Sequence, residues 1–522
     1  MKLKTTAILA ACGVFLSAAG AFAIPVQRTD SPGATPDPSV TLSKVAAATS
    51  DGTQVGGGSR MTAGDTLLVD ARLGHASLAK TTKGETYLFA QVTADDKAAA
   101  GTAASPMNLA IVIDRSGSMK GERIANAMNA AVAALERMRD GDSITVVSFD
   151  TSAQVVVPPT RVAQGNRASI ENSIRSIRLG GDTCISCGLS EAMQQLQLTS
   201  LGGDRVNRMI LLSDGATNAG IRDMPGLRAM ANRMHGRGVT ISTIGVDVDF
   251  DEKIMAAIAS EANGRHYFVA NASGLANVFS QEFDDVLSSV AKEAELAIDL
   301  APGVEVAEVF DRSFRREGNK IIVPFGTFSA KQEKTVLVRL KVPTDRDGSQ
   351  PVADVKLAYR DLVKRSDGAA SGTLALAVKN DGSEQKDMDP FVAARIERSR
   401  TAQTLTEANK LFEAGRVDEA RQKLALRKAD LKKSGDQAGR LAAAAPFAAP
   451  KRAAKSIDRD FADQSAAVAQ AEASFGNAAP ATRPFATTAP RGATGGFAPP
   501  PPSREGKAQV RENQQAASDF GF

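Results

Sequence analysis

Tryptophan is absent from the 522 residues, histidine and tyrosine occur three times each, and aromatic residues make up only 5% of the chain. This leaves no material for a ring platform that stacks nucleic-acid bases, nor for a zinc site built on several histidines. Charge is nearly balanced, with 63 basic against 59 acidic residues and a net +4, so no broad field draws the chain toward nucleic acid. Beyond the first two dozen residues no apolar run approaches the ~18 needed to cross a bilayer. No G-x-S-x-G or H-E-x-x-H stretch occurs, and His75, His235 and His266 are scattered, so no enzyme is expected. What is plentiful is core material: 43% of residues are hydrophobic, enough for two or three domains.

The opening "MKLKTTAILAACGVFLSAAGAFA" combines two lysines, an apolar centre and the small-residue end Ala21-Phe22-Ala23. It reads as a secretory signal over 1–23, placing the rest in the periplasm, on the cell surface or outside. Leu9-Ala10-Ala11-Cys12 also resembles a lipobox, making a lipid anchor at Cys12 the alternative, but the apolar run continues past Cys12, which favours cleavage after Ala23. Residues 24–60, rich in Pro, Ser, Thr and Gly, read as a flexible lead-in. Over 106–290, strands such as "LAIVID" and "RMILLS" alternate with helical patterns such as "GERIANAMNAAVAALERM". This predicts an α/β domain with a doubly wound, mainly parallel sheet. Residues 291–382 hold strands only and imply a β-sandwich. The runs "TLLVDARL" and "TYLFAQVTA" within 61–105 lack partners of their own and are expected to complete it, with the α/β domain inserted. Asp389-Pro390 opens a predicted helical hairpin over 388–436. The Ala- and Pro-rich remainder, 437–522, is expected to be largely disordered, with "DFADQSAAVAQAEASF" a transient helix.

One stretch carries candidate chemistry. In "NLAIVIDRSGSMKGERI" an apolar strand ends in Asp114, Ser116 and Ser118 at alternate positions. The residues themselves allow a hydrogen-bonded turn or a metal site. Two further places bear on the choice: Thr183 in the glycine-rich "GGDTCISCGL", and Asp214 ending a second strand in "RMILLSDGATNAG". Ligands of doubly wound sheets gather at the carboxyl ends of strands, where all three loops would meet.

Asp-x-Ser-x-Ser followed by a Thr and then an Asp, in this order and context, resembles the von Willebrand factor type A domain with its metal-ion-dependent adhesion site, over roughly residues 106 to 290. The resemblance implies that Ser116, Ser118 and Thr183 offer hydroxyl oxygens to a divalent ion, while Asp114 and Asp214 act through bound water or as acceptors behind them. Mg²⁺ suits such oxygens, with Mn²⁺ or Ca²⁺ as alternatives. Neutral ligands leave the ion's charge largely uncancelled, so an Asp or Glu of a partner protein could complete its shell. The expected function is thus metal-dependent protein binding, as an adhesion or scaffold protein. The alternatives are an envelope component whose metal only stabilises the fold, and a C-x-x-C redox protein. Cys184 and Cys187 would be the only cysteines after cleavage at Ala23, an even count that points to a local disulfide. Asp182, beside Thr183, either tunes the site or is inert. The acidic "GVDVDFDEK" is no EF-hand, because Glu252 stands where Gly is needed and Ile258 where Glu is needed.

Overall fold

A computed structural model describes residues 58–81, 83–95, 105–199, 204–214, 217–246, 252–269, 272–310, 312–381, 388–444, 450–477 and 504–521. The expected signal over 1–23, Cys12, most of the lead-in and "VDFD" at 248–251 lie outside these residues.

Four strands come first: β1 (Arg60–Gly64), β2 (Leu67–Leu73), β3 (Ser77–Ala79) and β4 (Lys83–Ala94). The α/β domain follows with β5 (Met107–Asp114), α1 (Glu122–Arg137), β6 (Ser143–Phe149), β7 (Ala153–Arg161) and α2 (Arg167–Arg175). It continues through α3 (Ile185–Leu198), β8 (Val206–Ser213), α4 (Met224–His235), β9 (Val239–Val246), α5 (Glu252–Glu261), β10 (Asn263–Val269) and α6 (Ala272–Leu287). Its sheet runs β10-β9-β8-β5-β6-β7, parallel except for β7. Central β5 is buried at every position because both faces are covered. Leu109, Ile111 and Ile113 point into the core beneath α1, α2 and α6, while Ala110 and Val112 point into the core beneath α3, α4 and α5. Gly188 lets α3 lie close to the sheet, since a Cβ there would come within 2.6 Å of Phe149 and 2.9 Å of Val112. Sequence reading missed β7, an edge strand carrying Pro158 and Pro159. Proline cannot donate to a ladder and masks the strand pattern, but on an edge one side needs no donor.

After α6, β11 (Ser289–Leu300) starts almost at once and is followed by β12 (Glu305–Phe310), β13 (Arg315–Glu317), β14 (Lys320–Ser329), β15 (Glu333–Pro343), β16 (Gly348–Asp361) and β17 (Ser366–Lys379). One sheet has the order β1-β2-β4-β15-β12 and the other β13-β14-β11-β16-β17-β3. The early strands therefore share sheets with the late ones, and the α/β domain is inserted between them. Their inner faces form one core, with Val69, Leu88, Val92, Val336, Val338, Leu296 and Val355 among its members. On the outer face of the five-stranded sheet, Phe89 and Leu337 are covered by Val392 and Ile396 of α7 (Pro390–Glu413). Asp389 caps α7, accepting from the N–H groups of Phe391 at 2.9 Å and Val392 at 3.2 Å.

The helical region exceeds the predicted hairpin. After α8 (Val417–Ala444) come α9 (Pro450–Asn477) and α10 (Arg504–Gly521). Within the stretch expected to be a largely disordered tail, these two segments are helical and packed: Phe461, Val468, Phe475, Val510 and Phe520 join Leu405, Phe412, Leu424 and Leu431 in one core. Spacings of seven between Phe461, Val468 and Phe475 put all three on one helical face, a pattern diluted by the alanines around it. Residues 445–449, 478–503 and 522 lie outside the described part.

Candidate metal centre

The carboxyl ends of β5 and β8 set the site. Asp114 and Ser213 end neighbouring parallel strands, and the Ser213 hydroxyl donates to Asp114 Oδ2 at 2.5 Å. Asp114 Oδ1 accepts from the Ser116 N–H at 2.8 Å, which turns the chain back over the sheet. Burial pushes the Asp114 carboxyl up to about 6, against the lowering by its bonds to Ser213 and Ser116. A single 3₁₀ turn, Gly117–Met119, then brings Ser118 round. The Ser116 and Ser118 hydroxyls lie 3.0 Å apart, and Ser118 Oγ donates to Asp214 Oδ1 at 2.7 Å.

Backbone bonds lash the Thr183 loop to both others. The Gly117 N–H donates to Gly181 O at 3.1 Å and the Gly180 N–H to Arg115 O at 2.7 Å. The Thr183 N–H donates to Asn218 Oδ1 at 2.7 Å, and Thr183 O accepts from the N–H groups of Asn218 at 3.0 Å and Ala219 at 3.2 Å. Asp114, Ser116, Ser118, Thr183 and Asp214 thus stand on three interlocked loops. No described group pairs with the Thr183 hydroxyl. The expected disulfide position holds an S–S bond between Cys184 and Cys187, with Cα atoms 5.3 Å apart. It sits against Gly220 of the loop after Asp214, where an added Cβ would come within 2.5 Å of Cys184 Sγ. Asp182 is exposed, and its Oδ1 accepts from Asn218 Nδ2 at 3.4 Å.

Residues 108–281 match the profile of the von Willebrand factor type A domain. This part of the chain is a type A domain. A protein of Synechocystis sp., sll0103, is 26% identical over 301 residues, covering 56% of this chain and 70% of its own. YfbK of Escherichia coli K12 is 30% identical over 293 residues, covering 53% of this chain and 49% of its own. The solved von Willebrand factor type A structure from Catenulispora acidiphila covers 78% of this chain and 97% of its own with a TM-score of 0.59 at 17% identity, a likeness of fold.

Three residues of the type A domain that sequence reading passed over shape this site. Arg123, on the first turn of α1, donates through Nη1 to Asp214 Oδ2 and to Ser118 O, both at 2.7 Å. Asp150 directly follows β6, at the same end of the sheet where Asp114 closes β5. It pairs with Arg115 at 2.9 Å and accepts from the Gly181 N–H at 3.3 Å. Burial works against its charged form, yet the Ser152 N–H, Arg115 and the Gly181 N–H together hold its carboxyl below the usual range. Asn218 supports Thr183. The signal for Asp150 was present, an apolar strand running into Asp, but only Ser152 follows it at an alternate position, with Gln154 where a second serine would stand.

The donor set fits a hard cation. Cis oxygens around a six-coordinate ion at about 2.1 Å are about 3.0 Å apart, which the Ser116–Ser118 separation already meets. Among the described residues no three His, Cys, Asp or Glu side chains cluster as ligands. A site here depends on hydroxyls, which are weaker donors and leave a bound ion strongly electrophilic.

Proposed function

We propose that the type A domain binds a divalent cation, Mg²⁺ by its hardness, through Ser116, Ser118 and Thr183, and that the held ion captures an Asp or Glu side chain of a partner protein. The supporting observation is that Ser118 lies within hydrogen-bond distance of both Ser116 and Asp214, residues on loops from different strands. A bound ion would supply uncancelled positive charge at an open coordination position. The chain's residues supply the frame: Asp114 orients the Ser116 turn, Asn218 positions Thr183, and Asp214 accepts from Ser118.

The reading is one of binding, without catalysis. The histidines are engaged elsewhere, His75 with Thr86, His235 with Asn263 and His266 with Thr243. Among the described residues no helix is long and apolar enough to cross a membrane. The signal-like first 23 residues support an extracytoplasmic adhesion or scaffold protein. The test pairs calorimetry with capture. Mg²⁺ should bind the wild type with 1:1 stoichiometry, and envelope proteins retained on immobilised protein should elute with chelator. Ser116→Ala with Ser118→Ala should abolish both with little change in Tm. A large drop in Tm with capture retained would instead identify a metal that only stabilises the fold.

A further inference from the structure

Away from the metal face, the type A domain and the sandwich enclose a cleft of about 490 Å³, bounded by β8, β9, β10 and α6 on one side and by β14 and β15 on the other. Arg208, the third residue of β8, lies in its wall. The five residues from Arg208 to Ser213 separate the cleft from the metal loops by about 16 Å along the strand.

The cleft gathers more positive than negative charge. Arg208, Arg265, Arg312 and Lys334 line it, against Glu282 and Asp285, with Glu333 exposed at the edge. Both inner carboxylates are already engaged. Glu282, 2% exposed, accepts from the Tyr267 hydroxyl at 2.7 Å and the Ser242 hydroxyl at 2.9 Å. Asp285 pairs with Arg265 at 2.9 Å. Arg208 is only 9% exposed, and its guanidinium donates no hydrogen bond to a described residue. The Glu282 carboxylate approaches its Nε to 3.3 Å without hydrogen-bond geometry. Lys334 Nζ donates to Phe325 O at 2.7 Å and Thr327 O at 2.8 Å, dipoles that carry no countercharge. Burial, followed by the charges of Arg312, Arg208 and Arg265, pushes its ammonium well below the usual lysine range. Lys334, buried with only carbonyl partners, and Arg208, whose one carboxylate, Glu282, is shared with two hydroxyls, are costly unless an anion joins them, and a guanidinium with free N–H groups matches a tetrahedral oxyanion well.

We propose that this cleft binds a phosphate-class oxyanion, held by Arg208, Arg265, Arg312 and Lys334, at the joint between the type A domain and the sandwich. The ligand is free phosphate or a small phosphomonoester. Binding ties the two domains through side chains from each, independently of the metal.

Calorimetry on the full chain at constant ionic strength, with chloride as the replaced anion, tests this. The probes are inorganic phosphate and glycerol 3-phosphate, and the tighter of the two names the source. At least one should bind saturably at 1:1, and sulfate should compete. Arg208→Met should weaken binding at least tenfold, and Ser116→Ala should leave it unchanged, which separates this site from the metal centre. If Arg208→Met does not fold, Arg265→Gln takes its place. Absence of saturable heat with both probes in the wild type would overturn the proposal. So would equal affinity in a folded Arg208→Met or Arg265→Gln variant.

Discussion

At the residue scale, the telling contact is Arg123 on Asp214. The Asp214 side chain is 0% exposed, so its charge needs a partner, and Arg123 supplies one from a position that is 31% exposed. A divalent ion arriving at Ser116 and Ser118 meets that guanidinium as a competing cation. Discounted for solvent, such a repulsion is worth about 1.4 kcal/mol, or tenfold in affinity. Arg123→Gln is therefore expected to tighten Mg²⁺ binding about tenfold while lowering the Tm of the metal-free protein, both measurable on one preparation. Unchanged or weaker affinity would show that Arg123 preorganises the loop and does not compete. The contrast with Ser116 and Ser118 explains what a sequence can disclose. Those serines announce themselves because their chemistry lies within five consecutive residues at a strand end. Arg123, Asp150 and Asn218 act across loops, and their partners are settled only by strand order.

Elements were legible to different degrees for equally physical reasons. Strands buried on both faces, such as β5 and β8, are unbroken apolar runs and stand out against helices of period 3.6. β7 hid behind its two prolines. The helix α10 hid, and α9 showed only as a transient helix, because alanine-rich, proline-flanked sequence resembles a solvated tail and the buried face of α9 rests on a few large residues. Its anchor is Phe475, stacked on Phe412 with ring centroids 4.2 Å apart and planes 7° from parallel. Truncating a buried phenylalanine costs about 3 to 5 kcal/mol. Phe475→Ala should therefore release α9 and open residues 450–477 to limited proteolysis, with the type A domain's Mg²⁺ affinity unchanged. Cleavage in that segment at the same rate in wild type and variant would mean that the stack does not hold the helix.

Across the whole molecule, α10 joins the far end of the chain to the edge of the type A sheet. Arg511 places its guanidinium 5.1 Å from the Phe268 ring centre on β10, and its charge is felt by the neighbouring His266. Burial first, and Arg511 second, push the His266 imidazole down to about 4, while its bond to Thr243 opposes them. The sign follows from proton counting. Between pH 6.5 and 4 the unfolded chain binds a proton at this residue that the folded chain does not, so its contribution to stability is full above pH 6.5 and is lost as pH falls toward 4. The limit is about 3 kcal/mol for such a shift. Asp114, raised to about 6, works in the opposite direction, so the wild-type profile alone cannot isolate the histidine. The difference between wild type and His266→Asn can: the Tm advantage of the wild type should shrink steadily from pH 6.5 to pH 4. Arg511→Met should move the His266 ring titration upward, read by NMR among only three histidines. A titration left in place by Arg511→Met would mean that α10 exerts no charge on the sheet edge, and that its docking there is a matter of packing alone.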